Sequence, residues 1–331
     1  MCIDVFAPQA SRRARGPVAS WVRRLAAGAL LPLAGCGQSA STRYQPPGPP
    51  PALPTNADLR AIWGDRESDV WVVGNAGTIV HFDGRAWTLS PSGTTEDLTG
   101  VYGTGPNDVW VAGLSGTVLH WDGAAWTVSS HVESTMLLGI WASGPNDVWA
   151  VGVDIDGGAG YLRRWDGTSW GDLDVPDAVS LWQVWGTGAQ DIWMVGTSAQ
   201  AGGLALHGDG KRFDPVAFDG GSLRGVWGTR SDDVWVAPYQ GAMEHWDGSG
   251  WAPAPPTTTQ PLLAIAGTAR DDVWAVGLGG VAYHYDGSAW APSTTGSSAV
   301  LWSIWTDAPN DVWVAGGGGT VLHWDGSAWA R

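Results

Sequence analysis

The tripeptide Asp-(Val/Ile)-Trp recurs seven times along the chain, with its aspartate at Asp69, Asp108, Asp147, Asp191, Asp233, Asp272 and Asp311. The spacings are 39, 39, 44, 42, 39 and 39 residues. A second marker, an Asp-Gly pair followed after two residues by an aromatic, tracks it in every unit and ends at Trp87, Trp126, Trp170, Phe213, Trp251, Trp290 and Trp329. One supersecondary unit has been copied seven times, and repeats of ~40 residues build solenoids, arrays or propellers.

Each unit reads as four short strands. In the second, LTGVYG, DVWVAG, GTVLHW and AAWTVS are apolar runs bounded by Gly, Pro, Asn, Asp or Ser, as strands are. The connector Gly105-Pro106-Asn107-Asp108 has turn chemistry, and Asp122-Gly123 is a hairpin signal between the third and fourth strands. No run long enough for a helix separates them. Four antiparallel strands in each of seven units predict an all-β, seven-bladed β-propeller, because radial repetition leaves only short, protected sheet edges. All the tryptophans except Trp21 fall in the repeats, where large flat side chains can fill the wedges between blades.

The line VYGTGPNDVWVAGLSGTVLHWDGAAW resembles the repeat of Asp-box (BNR-type) propellers, particularly the photosystem II assembly factor group with its GWxVGxxGTIL...DGGxTW pattern. The resemblance covers residues 59 to 329 and implies the propeller fold. It names no activity, because sialidases, lectins, assembly factors and scaffolds share that architecture.

The first 56 residues differ in kind. Arg12, Arg13, Arg15, Arg23 and Arg24 precede the apolar run Leu25 to Leu33, which ends in Leu33-Ala34-Gly35-Cys36. A basic segment, a short apolar core and small residues form a secretion signal over 1–35, too short to span a bilayer. Leu-Ala-Gly-Cys resembles the lipobox of bacterial lipoproteins, which implies cleavage before Cys36 and acylation of that residue. Acyl chains buried at ~0.8 kcal/mol per CH₂ would anchor the chain to a membrane. Residues 36–56, rich in Ser and Pro, read as a tether, and 57–331 as the propeller. Gly37 after the Cys suggests, by analogy with lipoprotein sorting, an outer-membrane or cell-surface location. Cys2 and Cys36 are the only cysteines, so the domain must be stabilised by core burial without disulfides.

Net charge is −15 and Lys211 is the only lysine, which argues against nucleic acid, whose binding needs a basic surface. Fourteen of the aspartates belong to the two repeat columns, where they are expected to cap turns.

Six histidines share one column of the third strand: His81, His120, His207, His245, His284 and His323, with Arg164 in the seventh place. A metal ring is geometrically excluded. Strands lie ~4.8 Å apart, so equivalent third-strand atoms on neighbouring blades are on the order of 10 Å apart, whereas metal ligands sit ~2 Å from a shared ion. Structural hydrogen-bond donors are expected instead. His131 stands outside this column with no partner legible in the sequence. Asp154-Ile155-Asp156-Gly157-Gly158 resembles the start of a calcium loop but lacks its later ligands and closing Glu, and reads as a flexible polar loop. Asp154 and Asp156 remain ligand-binding candidates. Motifs for nucleophilic, metal or phosphate chemistry are lacking, and neither an enzyme nor a cofactor is expected.

Variation is concentrated at one end. The second-to-third loops carry insertions at Val153 to Gly160 and Thr197 to Gly203, and the inter-blade links differ in every unit; these share one face. Such loops on a rigid scaffold usually carry function. A leucine begins each first strand, at Leu59, Leu98, Leu137, Leu181, Leu223, Leu262 and Leu301, and the residue after it varies: Arg60, Thr99, Leu138, Trp182, Arg224, Leu263 and Trp302. Strand alternation puts this column near the axis, with Trp182 beside Arg224 and Trp302 beside Arg60. Trp with Arg can stack a sugar or hold an anionic group. The expected function is therefore a non-catalytic, monomeric, lipid-anchored scaffold that binds an envelope protein through its variable face. A glycan-binding lectin is the alternative, and a glycan hydrolase a weaker one.

Overall fold

Punctuation in each repeat sets its strand boundaries. The computed structural model describes residues 52–200, 202–254 and 260–331, so Cys36, the signal segment and most of the tether lie outside the described residues. In blade two the strands are Leu98–Gly105, Asp108–Gly113, Val118–Trp121 and Trp126–Ser130. Asp122 Oδ1 accepts hydrogen bonds from the backbone N–H of Ala124 and Ala125, and Gly123 adopts φ 91°, closing the last hairpin. Every blade repeats the pattern, giving seven four-stranded antiparallel sheets in sequence order. Each first strand packs against the first strand of the next blade, and that of blade seven returns to blade one. The fold is a seven-bladed propeller.

Two layers of side chains lock neighbouring blades. In the outer layer the second-strand tryptophan of one blade meets the third- and fourth-strand aromatics of the next: Trp71 lies 5.2 Å from Trp121 and 5.3 Å from Trp126, centroid to centroid. Edge-on contacts of this kind add ~0.5–1.5 kcal/mol beyond area burial. In the inner layer, first-strand aromatics follow a size rule. The ring of Trp63 occupies the place where a Cβ on Gly103 would stand, and Trp141, Trp185, Trp227 and Trp305 do the same over Gly186, Gly228, Gly267 and Gly64. Where blade two supplies the smaller Tyr102, blade three answers with Ala142. Where blade six supplies Ala266, blade seven carries Thr306, whose hydroxyl donates to Gly267 O.

Closure uses no shared strand; blades one and seven are each built from one contiguous stretch. The seam between them has the same packing as the others, with Trp313 5.6 Å from Phe82 and 5.9 Å from Trp87. Extra polar ties cross it. Ser303 Oγ accepts from Ile62 N, Asp307 Oδ2 from Glu67 N, and Asp58 Oδ1 from Gly318 N, while Gly319 N donates to Ala57 O. Leu53, just ahead of them, packs on the core of this seam.

The insertions of blades three and four are only partly loops. They lengthen the sheet, pairing Asp154 with both Thr135 and Ala159, and Ser198 with Ala178. Insertions beside an existing hairpin can continue its ladder, and four residues, Ile155 to Gly158, are left to turn in blade three. Both extensions rise from the same face, the one read as variable.

Candidate functional site: the channel mouth on the variable face

The repeat columns of Asp, His and Trp are structural. In blade two, His120 Nε2 donates to Asp108 Oδ1 at 2.7 Å while its ring stacks on Trp110 at 4.0 Å, and Thr104 Oγ1 donates to Asp108 Oδ2. The His–Asp bond recurs for His81, His207, His245, His284 and His323, and in blade three Arg164 Nε substitutes for His on Asp147. The histidines are thus the donors expected of them. The aspartates do more than the turn capping expected: in five blades one oxygen accepts from a Thr or Ser hydroxyl four residues earlier, and in all seven the other crosses to the third strand. Burial alone would raise Asp108, Asp191, Asp233 and Asp272, but hydrogen bonds and charge from the histidines, with the threonine hydroxyls, hold them below the ordinary carboxylate value. His131 also has a partner, its Nδ1 lying 3.3 Å from Thr117 Oγ1.

The variable column has a feature that strand alternation did not suggest. In every blade the ladder skips it: Leu59 pairs with Gly74 and Ala61 with Val73, leaving Arg60 bulged, and the same shift isolates Thr99, Leu138, Trp182, Arg224, Leu263 and Trp302. A bulge frees one side chain from the pleat and re-aims it. Here seven bulges turn seven side chains onto the mouth of the axial channel, a cavity of about 570 Å³ with the first-strand aromatics along its wall. That size falls in the range of small-ligand sites.

Both Trp–Arg pairs form. Arg224 Cζ lies 3.4 Å from the Trp182 ring centroid and 4.9 Å from that of Tyr239, while Arg60 Cζ lies 4.7 Å from Trp302. The two arginines are electrically unlike. Arg60 Nε donates to Asn75 Oδ1, and Asp58 stands 3.9 Å from its other end. Arg224 has no ion pair among the described residues, its Nε has no acceptor, and burial pulls its guanidinium below the ordinary arginine value. The indole Nε1 atoms of Trp182 and Trp302 are likewise buried without an acceptor. Other such indoles, Trp71 and Trp274 among them, belong to the column whose Nε1 bonds the repeat aspartate in blades two and seven. The mouth thus offers one cation without an ion pair among the described residues, Arg224, while its Nε and the two indole Nε1 atoms are buried beneath the surface.

Asp154 and Asp156 stand on the same face but outside this cluster. Asp154 Oδ1 accepts from the backbone N–H of Asp156 and Gly157, so it caps its own turn. Among the described residues no group of three or more His, Cys, Asp and Glu is placed to hold a metal.

Neither a family model nor a curated protein matches the chain. Solved structures do. YCF48 from Cyanidioschyzon merolae superposes with a TM-score of 0.66 at 19% identity, covering 82% of this chain and 97% of that one. A YCF48 bound to a D1 peptide gives 0.67 at 18% identity, over 82% and 95%. The WD40 β-propeller domain of Doa1 gives 0.68 at 13% identity, over 83% and 95%. This likeness establishes the fold alone.

Proposed function

We propose that the chain is a non-catalytic scaffold that holds a segment of a partner protein across the channel mouth, displayed from the outer membrane by acylation at Cys36. The observation that carries the reading is Arg224, a guanidinium held between Trp182 and Tyr239 with no carboxylate partner among the described residues. Burying a cation without a counter-charge costs stability, so such a group is poised for an anionic ligand. A propeller of similar fold carries a D1 peptide, which makes a peptide a reasonable occupant. The glycan reading is weakened by the same pair, since the guanidinium already covers one face of the Trp182 indole that a sugar would stack on.

Site-specific photo-crosslinking in envelope preparations tests this. A crosslinker replacing Thr99 at the mouth should form protein adducts, lost on Arg224→Gln, whereas one replacing Ser249 on the opposite face should not. Equal adducts from both faces would reject the mouth as the docking point. Binding to a glycan array that disappears with Trp182→Ala would favour the lectin instead. For the anchor, metabolic labelling with a fatty-acid analogue should be abolished by Cys36→Ala, and persistent label would remove that part.

A further inference from the structure

The channel is not seven-fold symmetric in depth. Six blades place an aromatic in the inner ring, at Trp63, Tyr102, Trp141, Trp185, Trp227 and Trp305, but blade six places Ala266. Only blades six and seven contribute a lining residue beyond that ring, Gly267 and Thr306. A notch therefore opens where the seventh aromatic is missing, floored by Ala266 and flanked by Trp227 and Trp305. Its polar groups are engaged: Thr306 Oγ1 donates to Gly267 O, and Ser303 Oγ accepts from Ile62 N. What remains is apolar. Directly above it at the mouth is Leu263, with Arg224 on one side and Trp302 on the other.

We infer that the notch is a side-chain pocket for the last residue of a peptide, a bulky apolar one, whose terminal carboxylate pairs with the Arg224 guanidinium at the rim. The inference deepens the proposed function and rests on the mouth being the docking point. Charge complementarity selects the head group, because Arg224 is a half-buried cation with no ion pair among the described residues, and a carboxylate supplies both the opposite charge and acceptors. The wall selects the side chain, because a polar group there would find no partner. A free carboxylic acid shares this chemistry but could not also contact the raised sheet extensions of blades three and four.

The test is calorimetric titration of the intact mature chain with acetyl-Ser-Gly-Phe, acetyl-Ser-Gly-Ala, the C-terminal amide of the Phe peptide, and 3-phenylpropionate. Burying the phenyl group should favour the Phe peptide over the Ala peptide by on the order of tenfold or more, and amidation should lose at least as much. The variant Ala266→Trp/Thr306→Gly fills the notch with the Trp-over-Gly pair that five other seams already use, so it should fold, keep the Ala peptide and lose the Phe preference. Should it fail to fold, Ala266→Leu serves the same purpose. Equal affinity for the two peptides, or a Phe preference that survives the filled notch, overturns the pocket while leaving the mouth intact. Binding of 3-phenylpropionate as tight as the Phe peptide overturns the peptide as occupant. Absence of all binding, with crosslinking at Thr99 indifferent to Arg224→Gln, overturns the mouth itself and the pocket with it.

Discussion

At the scale of single residues, the Asp–His–Trp cluster fixes the strands of a blade, and its strength should follow its burial. In blade seven the side chains of Asp311 and His323 are 7% and 10% exposed, and Asp311 Oδ2 has no partner. In blade four the corresponding Asp191 and His207 are 19% and 36% exposed, and Thr187 still holds Asp191. Deleting the histidine leaves a buried acceptor poorly satisfied, which costs ~1–3 kcal/mol. His323→Ala should therefore lower the urea midpoint by an amount near the top of that range, and His207→Ala by clearly less; equal losses would show that burial does not set the cost. The histidine column was legible in the sequence because its spacing ruled out a metal ring. The aspartate's double role was not, since an Asp before a strand and an Asp in a hairpin look alike as turn residues.

At the scale of strands and seams, the pairing of a large residue on one blade with a small one on the next carries the geometry of the ring. A Cβ on Gly64 would stand 2.6 Å from Trp305 Cη2, too close for any real contact. Gly64→Ala should thus cost ~1–3 kcal/mol by overpacking, and Trp305→Tyr should recover part of it in the double variant, because Tyr over Ala is the solution already used between blades two and three. A double-mutant cycle on chemical denaturation measures the coupling; strict additivity would mean the two residues do not meet. The strands, their order and the side carrying the insertions could all be read from repeat spacing and turn residues. The bulges could not, because skipping one residue in a ladder leaves no mark in the alternation of a short strand. For the same reason the insertions looked like loops throughout, when their flanks continue the sheet and only their middles turn.

For the whole molecule, the acidic composition is also a source of fold stability. The hairpin aspartates accept backbone and hydroxyl hydrogen bonds that pull Asp166, Asp286 and Asp325 to about 2, and the strand aspartates Asp108, Asp191, Asp233 and Asp272 lie below their ordinary value of 3.8 as well. A carboxylate depressed in the folded state contributes stability that is complete above its unfolded pKa and is lost as pH falls through the folded one. The propeller should therefore keep a constant urea midpoint from about pH 7 to 5 and lose stability between about pH 4 and 2, followed by tryptophan fluorescence at ~0.15 M salt, where surface repulsion is screened. A midpoint that holds down to about pH 2 would contradict this.

Each blade carries a second skipped residue at the opposite end of its first strand: Thr104, Thr187, Thr229 and Thr268 in four of them, each donating its hydroxyl to the repeat aspartate. In blade three Ser143 does the same, so five of the seven lower positions are bound to one chemistry by the fold, and Asp65 and Asp307 fill the other two. The upper set is bound to none: Thr99 donates to Ala112 O and Leu137 O, Arg60 donates to Asn75, and Leu263 is a buried hydrophobic, so the same place in the fold accepts polar, charged and apolar side chains. Exchanging the amino acid at any of those seven codons changes what the rim can grip while the wheel beneath it stays the same, so a lineage could explore new partners there at little risk to its architecture.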